Sequence, residues 1–291
     1  MSNVWDKYLA QHEAHFTNSI IRDLLRLTEQ PSIISFAGGL PAPECFPAEE
    51  LTAAAERVLV ENPLAALQYG PTEGYRPLRT FVTERAAQLG INATLDQVMI
   101  TSGSQQALDL IGRRLIGPGD LIAVEDPTYL GALQSWYPRL PQYVTVPMDE
   151  HGMDVAALEH MLKRTRPTFL YIMPTFQNPT GVTLAEERRR DLIDVASRYE
   201  LPIIEDDPYG DLFYDGERPR PLAALDVEKH GKLRTVVYIS SFSKLLSPGL
   251  RVGWTAAPES MVSRLVQVKQ GVDLHTSSLT QATVYEACRD G

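Results

Sequence analysis

A lysine set among small hydroxylated residues, with an arginine close behind, suits a carbonyl compound that also carries an anion. The stretch SSFSKLLSPGLRVGW has this character: Ser241 and Ser243 precede Lys244, and Arg251 follows it by seven positions. A solvated lysine keeps its proton at neutral pH and cannot attack a carbonyl. Nearby cations or desolvation lower its pKa and make the amine a nucleophile. The ordinary fate of a lysine is a surface position. Here, however, Val236, Val237, Tyr238 and Ile239 read as a buried strand that runs directly into the serines. Hydroxyls, backbone amides and a guanidinium together make a phosphate site.

Other stretches could share that site. In ITSGSQQALDL, Ser102, Gly103 and Ser104 end a strand and Gln105 opens a helix. Amides at a helix N-terminus favour an anion, although a plain serine cap reads the same way. In IIEDDPYGDLFYD, the carboxylates could be metal ligands, a general base, partners of a cationic ring, or only a polar turn. No histidine lies close by in sequence, which weakens the metal reading. Asp206 and Tyr209 are three residues apart and could approach one planar ligand from one side. Asn178 in MPTFQNPTGV sits in a turn sequence after a strand, where its amide could donate to a ligand oxygen. Tyr129 in VEDPTYLGAL could pack in the core or stack on an aromatic ligand, and Tyr69 in QYGPTEGYRPLR is equally open. His12 and His15 lack the HExxH pattern of a zinc site, and neither a GxGxxG fingerprint nor a GxxxxGK[ST] loop occurs. No metal site is expected.

These residues need a scaffold that gathers strand ends. Seven apolar, β-rich runs are strand candidates: residues 98–101, 121–125, 143–147, 169–173, 202–206, 236–241 and 252–256. Helical patterns occupy 105–115, 129–136, 155–163 and 185–199 between them. Three more, 6–29, 48–61 and 76–89, precede the first strand, and 259–270 and 280–288 follow the last. Such alternation predicts an α/β domain with a largely parallel sheet. Loops at the C-terminal ends of its strands should carry the chemistry. The last helix is expected to leave apolar residues such as Val284 without a partner, which suggests a missing C-terminal portion.

Composition bounds the function. The chain has 291 residues, 44% of them apolar, and a formal net charge of -10. No Lys/Arg block stands out to track a nucleic-acid backbone, so no nucleic acid is expected as a partner. No apolar run is long enough to cross a bilayer and no secretory leader opens the sequence, so no membrane partner is expected. The two cysteines, Cys45 and Cys288, lie far apart and suit a reducing compartment. The expected location is the cytoplasm.

Seven stretches in order, SFAGGLPAPECFP, QYGPTEGYRPLR, TSGSQQALDL, EDPTYLGAL, MPTFQNPTG, EDDPYGDL and SFSKLLSPGLRVGW, resemble the class I aminotransferases. These are the fold-type I enzymes that use pyridoxal 5′-phosphate (PLP). The resemblance is greatest to the 2-aminoadipate and kynurenine/aminoadipate type and spans nearly the whole chain. It implies a mainly parallel, seven-stranded sheet flanked by helices. It assigns residues 1–47 to a small domain and 48–291 to the large cofactor-binding domain. The C-terminal part of the small domain, with its carboxylate-binding arginine, is expected to be absent. Lys244 would hold PLP covalently and then shuttle a proton. Asp206 would pair with the ring nitrogen, Asn178 and Tyr209 would bind the ring oxygen, and Tyr129 would stack on the ring. Ser102, Gly103, Ser104, Gln105, Ser241, Ser243 and Arg251 would surround the phosphate. Tyr69 would reach the phosphate of a second subunit, which implies a homodimer, and Gly39, with Asn178, would meet the substrate carboxylate. The implied reaction is ping-pong exchange of an amino group between an amino acid and a 2-oxo acid, with 2-oxoglutarate as acceptor. The alternatives are another PLP reaction such as β-elimination, or a chain that binds PLP without turnover. A regulator domain would need a basic helix-turn-helix extension; the residues before SFAGGLP hold one expected helix and the net charge is -10, so that reading is not the expected one.

Overall fold

The structure, a computed structural model, describes residues 4–8 and 39–290. The helix expected over 6–29 lies outside the described residues, apart from a short 3-10 turn at Val4–Lys7. His12 and His15 also lie outside them.

Among the described residues three α-helices precede the sheet: α1 Ala48–Glu61, the short α2 Pro63–Leu67, and α3 Arg76–Gln88. The chain then alternates. Strand β1 Val98–Thr101 leads to α4 Ser104–Leu115, and β2 Leu121–Asp126 leads to α5 Leu130–Trp136. Strand β3 Gln142–Asp149 turns back through the two-residue β4 Gly152–Met153 into α6 Val155–Leu162. Next come β5 Leu170–Ile172, α7 Glu186–Tyr199, β6 Ile203–Asp206, α8 Leu222–His230 and β7 Val236–Ser241. Strand β8 Gly253–Ala256, α9 Glu259–Gln270 and α10 Ser278–Cys288 complete it.

All seven expected strands form, and the sheet has one more. Its order is β1-β8-β7-β6-β5-β2-β3-β4, eight strands in place of seven. The extra strand, β4, is a two-residue antiparallel return against the end of β3, too short for any periodicity to reveal. Neighbours from β3 through β2, β5, β6 and β7 run parallel. Strand β8 runs antiparallel to both β7 and β1. The start of β8 therefore lies at the same edge as the ends of the parallel strands.

Helix α8 was not expected, yet a parallel β6–β7 pair needs a crossover. The buried Glu205 carboxylate starts that helix by accepting the Leu222 and Ala223 amides at 2.8 Å each.

Each central strand is buried on both faces, which is why its sequence reads as a continuous apolar run. Alternate residues feed two cores: Ile203, Val236 and Tyr238 pack with α3, α6, α7, α8 and α10, while Ile204, Val237 and Ile239 pack with α4, α5 and α9. The expectation that Val284 lacks a partner is corrected. Val284 is fully buried in the first of these cores, because α10 folds back onto α1, α2 and α3. Among the described residues no helix is long and apolar enough to cross a membrane.

Candidate active site

The sheet topology delivers the candidate residues to one edge. Ser102 follows β1, Asp206 ends β6, and Ser241 ends β7 with Lys244 just beyond. Thr101 and Ser241 both pair with Gly253, so Arg251 enters the same edge from the start of β8.

Asp206 is the most constrained of these groups. It is 1% exposed; the Tyr171 hydroxyl donates to its Oδ2 at 2.9 Å, while its buried Oδ1 has no partner. Burial pushes its pKa up to about 7; the Tyr171 hydrogen bond opposes that shift and the neighbouring Asp207 adds to it. Tyr171 is itself fully buried, edge-on to Trp136 with ring centres 5.4 Å apart. Neither this tyrosine nor its bond was foreseen, because a tyrosine in an apolar strand reads as core.

Asp207, next in sequence, is spent on structure. Its Oδ2 accepts from the Tyr238 hydroxyl at 2.8 Å and from Arg218 at 3.2 Å, and its Oδ1 accepts the Gly210 amide at 2.9 Å. Arg218 continues to Asp211, which pairs with Arg85 of α3 at 2.7 Å. This chain of charges fixes the turn that presents Tyr209. The Asn178 amide donates to the Tyr209 hydroxyl at 3.5 Å, which brings together the two groups that the resemblance assigns to one ring oxygen. Burial raises the Tyr209 pKa, with the Asn178 bond opposing and Asp206 adding. Tyr129 lies at the mouth of α5. Its pKa is pushed up to about 12, first by burial, then by the charges of Asp206 and Tyr209, against Arg251. It therefore senses the acid, the phenol and the arginine together.

Lys244 is half-buried, and desolvation lowers its pKa. Its ammonium donates to the Gly39 carbonyl at 3.3 Å and lies 5.7 Å from the centre of the Tyr209 ring. On the arginine side, the Ser243 amide donates to Ser241 Oγ at 3.1 Å, and that hydroxyl donates to Ser243 Oγ at 2.9 Å. Arg251 Nη1 reaches Ser243 Oγ at 3.4 Å. Gly103, at φ +78°, caps α4, and a Cβ there would stand 2.4 Å from Arg251 Nη2. Only glycine lets the guanidinium lie across the helix start.

Three candidates sit differently from their expected roles. The Ser102 hydroxyl is bound to Asp273 and Thr276, each at 3.2 Å. The Gln105 amide nitrogen donates to the Gly131 carbonyl at 2.9 Å and to Ser135. The Gln105 backbone amide is left to meet an anion, whereas the Ser102 amide is taken by Gln106 Oε1 at 2.8 Å. Tyr69 is 80% exposed and packs edge-on against His275 at 5.9 Å. It makes no hydrogen bond or ring contact with the Lys244 cluster among the described residues. No group of acidic, histidine or cysteine side chains able to hold a metal occurs among them either, and Cys45 and Cys288 are free.

The residues present fit a phosphorylated, cationic ring. The unpartnered Asp206 Oδ1 is an acceptor for a ring N–H, and the tight Gly103–Arg251 approach joins a cation to a helix N-terminus. Over residues 42–291 the chain matches the family described as Aminotransferase class I and II. It belongs to that family, the PLP-dependent enzymes that catalyse transamination. It is 45% identical to the 2-aminoadipate transaminase of Thermus thermophilus over 287 residues, 99% of this chain and 70% of that one. It is 43% identical to aromatic-amino-acid aminotransferase 1 of Thermococcus litoralis, covering 99% of this chain and 69% of that one. The crystal structure of the α-aminoadipate aminotransferase LysN from Thermus thermophilus, complexed with N-(5′-phosphopyridoxyl)-L-leucine, superposes with a TM-score of 0.91 at 44% identity. That match covers 99% of this chain and 71% of the other.

Proposed function

We propose that transamination takes place at the sheet edge shared by Lys244, Asp206 and Arg251, between an L-amino acid and a 2-oxo acid. The observation that carries this reading is Asp206, a buried carboxylate with one oxygen held by Tyr171 and the other free. PLP, when bound, supplies an aldehyde that takes up amino groups and a ring that accepts the electrons released at the substrate α-carbon. Asp206 Oδ1 would hold the proton on the ring nitrogen. Asn178 and Tyr209 would share the ring oxygen, and Tyr129 would cover the ring face and exclude water. The amides of Ser104 and Gln105, with Ser241, Ser243 and Arg251, would hold the phosphate. Ser102 and Gly103 would shape that cradle. Lys244 Nζ would bind the cofactor and, once freed by substrate, carry a proton to and from the α-carbon. Its half-buried setting favours the neutral amine this needs. Gly39, whose carbonyl accepts from Lys244, would line the substrate carboxylate site.

One lysine serving both half-reactions supports ping-pong order. Relatives named for 2-aminoadipate and for aromatic amino acids support a donor from those classes; the acceptor we propose is 2-oxoglutarate. We assign residues 48–291 to the large domain, which the family match from residue 42 supports, and residues 1–47 to the small domain. The exposed Val60, Leu64, Leu67 and Tyr69 support a homodimer in which Tyr69 serves the second site. Two free cysteines support a reducing, cytoplasmic setting.

The test is borohydride reduction of the protein with PLP, followed by peptide mapping. The adduct should lie on Lys244 and vanish in Lys244→Ala. An adduct of full intensity in that variant removes Lys244 from the role.

A further inference from the structure

Lys269, at the end of α9, has a fully buried side chain that no step above uses. Its amine nitrogen donates to Asp273 Oδ1 and Oδ2 at 2.8 Å each, to Gln106 Oε1 at 2.7 Å and to Thr276 Oγ1 at 3.1 Å. Carboxylate and amide oxygens only accept, so this set of partners fits the ammonium and not the free amine. Burial lowers the Lys269 pKa, and the hydrogen bond and charge of Asp273 oppose it. Burial alone would raise the Asp273 pKa; hydrogen bonds from Lys269, Gln106 and Ser102 prevail and hold it low.

The network ends on the loop between β1 and α4. Gln106 Nε2 donates to Asp273 Oδ2 at 2.6 Å, which turns Gln106 Oε1 toward Lys269 and the Ser102 amide, the latter at 2.8 Å. Ser102 Oγ also donates to Asp273 Oδ2 at 3.2 Å. The Ser102 hydroxyl is thus engaged by the α9–α10 connection, and its amide by Gln106 of α4, which that connection holds in place. The next amide, Gly103, donates to Thr101 at 2.8 Å. The amides of Ser104 and Gln105 then open α4 with no hydrogen-bond partner among the described residues.

We propose that Lys269 and Asp273 are positioning residues for the phosphate cradle. By holding Ser102 through Gln106 and directly, they set the turn that presents the Ser104 and Gln105 amides beside Arg251. This rests on the reading that the cofactor phosphate lies there. A buried charge left alone is costly, so losing either partner should disturb the turn and not merely one contact.

The experiment compares PLP with pyridoxal, which lacks the phosphate, by absorbance titration of the full chain. Lys269→Met is the direct variant. Lys269→Met with Asp273→Asn removes both charges together, and Thr276→Val removes one hydroxyl that Lys269 and Ser102 bond to while leaving both charges in place. In the first two, the Kd for PLP should rise about tenfold or more while that for pyridoxal changes less than about twofold. Thr276→Val should move PLP alone, in the same direction. Equal weakening of both ligands, or unchanged PLP binding in folded variants, overturns the proposal. Wild-type protein that binds PLP no more tightly than pyridoxal overturns the cradle reading itself, and the proposal with it, before any variant is made.

Discussion

At the residue scale, if Asp206 partners the cofactor ring nitrogen as proposed, its proton decides whether the site is ready for that cofactor. A cationic ring nitrogen needs an ionised partner, and burial works against ionisation here. Tyr171 opposes that penalty by donating to Oδ2. Tyr171→Phe should therefore raise the Asp206 pKa above its value of about 7. Below the raised pKa the carboxyl is neutral and binds the ring less well, so the acid limb of PLP binding should move to higher pH. A hydrogen bond to a charged group is worth about 1.5–3 kcal/mol, so the limb should move by about one unit or more. PLP titrations between about pH 5 and 9 check this against the ordinary carboxylate range. The ionisable side chains that bear on Asp206 include Asp207, Tyr129 and Tyr209, and the variant leaves all three in place. A limb that stays in place would show that Tyr171 only fills space.

At the element scale, what sequence reveals depends on whether a signal is local. The run Val236 to Ser241 reads as a buried strand because the sheet is covered on both faces, and Lys244 follows it by simple counting. Asn178, Asp206 and Tyr209 stand out in the same way, as polar residues at or just past the ends of apolar runs, and Arg251 by its place seven residues after Lys244. Helix α8 was not, since two prolines precede it and its first turn is held by Glu205, seventeen residues before Leu222. The same holds for Lys269: its burial depends on Gln106, Asp273 and Thr276 meeting in space, and its own helix gives no hint. The Ser102 and Gln105 side chains misled because a hydroxyl or amide near a helix start suits a ligand and a tertiary tie equally well. Glu205→Gln tests the α8 anchor. The new amide nitrogen can only donate, so it faces one helix N–H with a second donor and leaves that group unsatisfied. The cost should be about 1–3 kcal/mol, read as a lower midpoint in urea unfolding with little change in slope. An unchanged midpoint would show that α8 is held by its packing alone.

At the scale of the whole molecule, the proposed site is gathered largely within one chain, and Tyr69 stands outside that cluster. Tyr69 stands at 80% exposure beyond α2, whose Leu64 and Leu67 are 81% and 70% exposed. The apolar surface continues through Val60 at the end of α1, and none of the described residues covers it. Contiguous exposed apolar residues mark interaction surfaces, and a closed two-fold pair would bury the same patch from both sides. Exchanging Leu64 and Leu67 for glutamate should leave the fold of one chain intact, because neither side chain supports its core. It should also place like charges opposite one another across the interface, which blocks association. Sedimentation should then show a dimer for the wild type and a monomer for the double variant, at similar unfolding midpoints. If Tyr69 completes the phosphate site of the other subunit, PLP affinity falls with dimerisation, and Tyr69→Phe reproduces part of that loss in protein that is still dimeric. A monomeric variant that keeps wild-type PLP affinity would place the whole phosphate site within one chain and leave Tyr69 without a part in it.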